Sequence, residues 1–189
     1  MAHRVSDMAE LDNRKKEISF VRHVLYSATF AVLLFACAIL QCSGIKILGQ
    51  TPDMVFGLVC AIGFIAKEKY GGIFGLLGGV LIMALGSGTL SLSPVLFTLC
   101  GYLCGALPGL ILRRNFSSFT VFAVMMGAIH TFFTAVYYVM ISQSYEIWSV
   151  IGGEFFSDLI TCIICMIPAY FAVLGIYNLF KGNDNKRSI

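Results

Sequence analysis

The sequence predicts an all-α polytopic membrane protein with six transmembrane helices and both termini in the cytoplasm, and three observations carry that prediction. The first is composition. Of 189 residues 58% are hydrophobic and only 12% charged, with a mean hydropathy of +0.86, too apolar for a soluble domain of this size. The second is the division of the apolar material by short polar links, none after residue 22 longer than about ten residues, which leaves room for one membrane domain and no separate soluble one. The third is the placement of Lys and Arg. With six spans, 12 of the 13 basic residues fall on the cytoplasmic side, and only Lys46 lies outside.

Residues 1–22 form a basic cytoplasmic tail with five Lys or Arg among mixed acids. MAELDNRKKEI reads either as a short amphipathic helix on the membrane surface or as a disordered tail, and the sequence does not separate the two. A cleaved signal peptide is not expected, because the charged part is long and the apolar run after it is long enough to span. Gln41 stands where a lipidation site at Cys42 needs a small residue.

The first span is about residues 23–42, and the Gly and Pro of SGIKILGQTP break the helix before Asp53. Met54 to Gly86 as one helix would be about 50 Å long, against a hydrocarbon core of about 30 Å. The cluster Lys67-Glu68-Lys69 is therefore expected to be a turn, giving short second and third spans at 53–66 and 71–86. Flanking Lys and Tyr side chains reach the interface for them. The fourth span, 94–112, stops at Arg113-Arg114-Asn115; the fifth is 119–141, the sixth 152–180, and 181–189 form a cytoplasmic tail. Merging spans two and three would strand Lys67 and Lys69 in lipid and carry Arg113, Arg114 and the C-terminal cluster to the outer side.

Gly71, Gly75 and Gly79 recur every four residues in span three, and Gly101, Gly105 and Gly109 repeat the interval in span four. Each set lies on one helix face, where small residues let two backbones approach and gain dispersion contacts that lipid cannot supply. This hairpin is expected to be the packing centre.

Few side chains suggest chemistry. Glu154 and Asp158 share one face near the outer end of span six, either solvated at the interface or facing a cavity or partner helix. Asp53, at the start of span two, suits the positive end of the helix dipole as a cap, with partner contact the other role. His130 falls near mid-membrane and is expected to be neutral, bonded to a helix carbonyl or to Thr131 or Thr134, with no second titratable group evident at its depth. Cys162 and Cys165 have no His or acid at ligand spacing, so neither metal nor cofactor is indicated. No catalytic set is evident, since the two acids share a helix and His130 has no identifiable nucleophile. The seven cysteines lie in or beside apolar runs and suggest no disulfide scaffold. No basic surface is long enough to track nucleic acid. Tyr137, Tyr138, Tyr145 and Trp148 fit an interfacial belt, with extracellular docking as the alternative.

Pro52-Asp53 opening span two, the spaced Gly71, Gly75 and Gly79, and above all FTLCGYLCG from Phe97 to Gly105 give the middle of the chain its likeness. In these residues, within about 51–109, it resembles the bacterial rod shape-determining MreD family; Glu154, Asp158 and Pro168 add weakly to the likeness. The family usually carries an Asp four residues past the third glycine, where this chain has Met83. The resemblance implies a six-helix fold akin to the substrate-binding subunits of energy-coupling-factor vitamin transporters, no enzymatic activity and a place in the bacterial cell membrane. It also implies a single-pass partner, MreC, and membership of the cell-wall elongation machinery with MreB, RodA and a class B penicillin-binding protein. The function expected is thus a non-enzymatic membrane scaffold. A substrate-binding subunit of an energy-coupling-factor transporter is the alternative, with short outer loops that make a thin lid.

Overall fold

The computed structural model describes residues 2–44, 46, 51–85, 92–111, 115–142 and 155–185. These residues form six helices and no strand: α1 (Ala2–Cys42), α2 (Met54–Ala66), α3 (Glu68–Ala84), α4 (Ser93–Ile111), α5 (Phe116–Ser142) and α6 (Phe155–Asn185). Three of them are long and apolar enough to cross a membrane, over His23–Cys42, Phe116–Tyr137 and Phe156–Phe180. Met54–Ala66 and Ser93–Pro108 are shorter apolar helices.

The N-terminal segment is neither a separate surface helix nor an irregular tail, because α1 runs unbroken from Ala2 through the apolar span. No Gly or Pro interrupts these residues, so nothing in the chain stops the helix before Cys42.

The turn expected over Lys67-Glu68-Lys69 is a single residue. Lys67 alone leaves the helix, at φ 79° and ψ 171°, while Glu68 and Lys69 already belong to α3. That backbone region is favourable essentially only for glycine. Glu68 in the first turn of α3 suits the positive end of its dipole.

The helix on which the others converge is α2, not the glycine hairpin. It touches all five other helices, and Val55 through Ala66 are buried without exception. MVFGLVCAIGFIA is apolar on every face, which is the pattern of a helix surrounded by protein. The hairpin is instead the most extensive pairwise contact in the bundle. Around α2 lie aromatic clusters drawn from distant parts of the chain. Phe64 packs edge-on to Phe119 and Tyr170, with ring centroids 5.3 and 6.3 Å away. Tyr26 gathers Phe30, Tyr70, Tyr177 and Phe180 into a second cluster.

Candidate functional site

Two features stand out, and both begin from residues with little side chain or a polar one. The first is the seam between α3 and α4. A Cβ built on Gly71 would collide with the Gly101 carbonyl and lie 2.6 Å from the Gly63 Cα. On Gly75 it would collide with the Phe97 carbonyl and lie 2.8 Å from the Thr98 Cα, and on Gly79 it would meet the Pro94 backbone. A Cβ on Gly101 would strike the Gly71 carbonyl, and one on Gly105 the backbone at Lys67–Glu68. Each four-residue step along α3 is therefore matched by a step of about four in the opposite sense along α4. The helices are antiparallel and in backbone contact for most of their length. Any side chain larger than hydrogen would force them apart, and dispersion falls steeply with even a small gap.

Gly105 meets the turn rather than a glycine of α3, which ties the strained Lys67 backbone to α4. Gly109 lies in α4, but its surroundings are outside the described residues. Two glycines that the spacing did not single out also sit at backbone contacts. Gly63 of α2 opposes both Gly71 and Gly101, making a three-helix glycine junction, and a Cβ on Gly57 would lie 3.3 Å from the Met166 backbone. Their six-residue separation escapes a search for four-residue stripes; the all-apolar character of α2 was the signal that could have found them.

The second feature is a polar group joining α1, α2 and α5. Gln41 Nε2 donates to Asp53 Oδ1 at 3.0 Å, and the Val55 backbone N–H donates to Gln41 Oε1 at 3.2 Å. His130 Nδ1 lies 3.5 Å from the other carboxylate oxygen of Asp53. The imidazole stacks on Phe56 with centroids 4.3 Å apart and packs beside Phe97 at 5.6 Å. Burial differs across the group: His130 is 6% exposed and Gln41 5%, whereas the Asp53 side chain keeps 26% of its surface.

This arrangement changes two sequence-based assignments. Asp53 occupies the N-cap position of α2 but makes no side-chain cap hydrogen bond; Gln41 reaches across from α1 to take that N–H. Asp53 receives the Gln41 amide, so the carboxylate joins two helices while standing at the positive end of α2. His130 does have a titratable neighbour at its own depth, and it is Asp53. The Thr134 hydroxyl bonds the His130 backbone carbonyl at 2.9 Å, not the ring. Because α2 is only 13 residues long, its first turn lies level with the middle of the 27-residue α5.

Asp158 is half-buried in the first turn of α6, where the dipole favours a carboxylate. Glu154, its expected neighbour, lies outside the described residues, as do Tyr145 and Trp148. Cys60, Cys100, Cys104, Cys162 and Cys165 are buried free thiols on α2, α4 and α6. Among the described residues, His, Cys, Asp and Glu form no group of three that could hold a metal ion.

Fold and seam together define an all-helical, membrane-associated protein in which close backbone packing is the main construction device. No protein-family model, curated protein or solved structure matches the chain.

Proposed function

We propose that this protein is a non-enzymatic scaffold subunit of the bacterial cell-wall elongation machinery, involved in cell-shape determination through an MreC-like single-pass membrane protein. It crosses the cell membrane six times with both ends in the cytoplasm, and MreB, RodA and a class B penicillin-binding protein belong to the same assembly. One observation carries the reading. The run that resembles MreD, Phe97 to Gly105, is also the run whose Phe97, Thr98, Gly101 and Gly105 meet the α3 side of the hairpin. The likeness therefore falls on residues that set the bundle's shape, as a scaffold requires, rather than on a reactive group.

The test is co-purification from native membranes after mild cross-linking, with attached proteins identified by mass spectrometry. The expected result is a single-pass protein with a coiled coil and a β-rich extracellular domain, lost on Gly75→Leu or Gly105→Leu. Unchanged recovery by both variants would defeat the role given to the seam.

The Gln41–Asp53–His130 group favours a second reading, a substrate-binding subunit of an energy-coupling-factor transporter. A few convergent polar groups beside aromatic rings are what a small-molecule site uses for orientation. Recovery of a membrane coupling subunit with two ATPases, together with thermal stabilisation by a vitamin, would establish it over the scaffold.

A further inference from the structure

Among the described residues, the exposed apolar surface is much shorter along α3 than along α5 and α6. On α3 it runs from Ile73 to Leu85, a rise of about 18 Å at the helical 1.5 Å per residue, with exposed Lys67 and Lys69 at one end. On α6 it runs from Phe156 to Leu179, and on α5 from Phe116 to Met140, each about 35 Å. A hydrocarbon core is about 30 Å thick.

The composition of the short side points to lipid as its occupant. Between Ile73 and Met83 every exposed residue is Ile, Leu, Val or Met, while Gly71, Gly75, Gly78 and Gly79 all face inward. Helices that associate in a bilayer meet through small residues. Here those residues are spent within the hairpin, and the outward face keeps bulky aliphatic side chains.

We propose that the α3 edge sits in a locally thinned bilayer and selects phospholipids with short acyl chains, whereas the α5–α6 edge contacts lipid of ordinary thickness. This rests on the reading that places α3 and α4 in the membrane. The protein is then a wedge in thickness, thin along α3, and its preferred neighbours differ around its circumference.

Single-tryptophan variants of the full chain test this, since Trp148 is the one tryptophan. Trp148→Phe is combined with Val80→Trp on α3 or with Ile164→Trp on α6, both exposed sites. Each variant is reconstituted with competing brominated phosphatidylcholines bearing myristoleoyl or erucoyl chains. Quenching at position 80 is expected to favour the short chain by at least about twofold relative to position 164. Equal preference at the two positions overturns the thinning and leaves the six-span reading standing. Quenching at position 80 by aqueous iodide but by neither lipid would overturn the membrane placement itself. Quenching there by neither lipid nor iodide would mean that protein covers the edge, which also overturns the proposal.

Discussion

Between α3 and α4 the contact is backbone on backbone, with Gly71, Gly75 and Gly79 against Gly101, Phe97–Thr98 and Pro94. Between α5 and α6 it is made of side chains: Phe119 stacks on Tyr170 with centroids 4.6 Å apart, Phe116 packs on Tyr170 and Phe171, and Gly127 looks onto Leu159 and Cys162. Side-chain contacts can relax by changing rotamer; a backbone contact relaxes only by moving a helix. The two pairs should therefore differ sharply in tolerance.

The largest effect is expected at the seam. Gly75→Leu puts four heavy atoms where one already collides, and the helices must separate and forfeit their shared contact. The expected loss is about 4 kcal/mol or more, at the extreme of single substitutions. In detergent the variant should lose its cooperative melt or its monodisperse elution profile. A melt within a degree or two of the parent would mean that α3 and α4 are not in backbone contact.

The contrast also explains what the sequence made legible. A small-xxx-small stripe is written locally, so Gly71, Gly75, Gly79, Gly101 and Gly105 could be read from spacing alone. The Asp53–His130 approach joins residues far apart in the chain, and its depth depends on where a short α2 begins. Gln41 as the cap for Val55 was hidden for the same reason: a cap is sought within a few residues of the helix start, and this one comes from another helix. The position of the turn near Lys67 was readable because two charges cannot sit in lipid. Its one-residue width was not, because no propensity scale favours Lys at φ 79°.

The next effect belongs to the polar group. Asp53→Ala removes the acceptor of the Gln41 amide and leaves that buried donor unpaired, at a cost of about 2 kcal/mol. Asp53→Asn keeps an acceptor and should recover most of the loss in thermal unfolding of the purified chain. Equal destabilisation by Ala and Asn would point to the negative charge, facing His130, as the dominant contribution.

A smaller change of opposite sign is expected at Tyr26. Its hydroxyl is buried with no hydrogen-bond partner among the described residues, while its ring packs on Phe30 at 4.5 Å. Tyr26→Phe keeps the ring and removes the orphan, so stability should rise by about 1 kcal/mol. A loss of stability instead would show that the hydroxyl is bonded in the membrane.

The smallest effect sharpens the opening contrast most directly, because one chemical change is made in both pairs. A Cβ on Gly127 would lie 3.4 Å from Leu159 Cδ1 and 3.7 Å from Cys162 Sγ, ordinary contact distances. Gly127→Ala therefore fits without movement and gains helix propensity of about 0.5 to 1 kcal/mol. Gly75→Ala gains the same propensity, yet its methyl group meets the Phe97 carbonyl and the Thr98 Cα, neither of which can turn aside. The same substitution should thus raise the melting temperature on α5 and lower it on α3. If both raised it, the α3–α4 glycines would be serving helix flexibility rather than contact, and the seam would lose its claim to set the shape of the bundle.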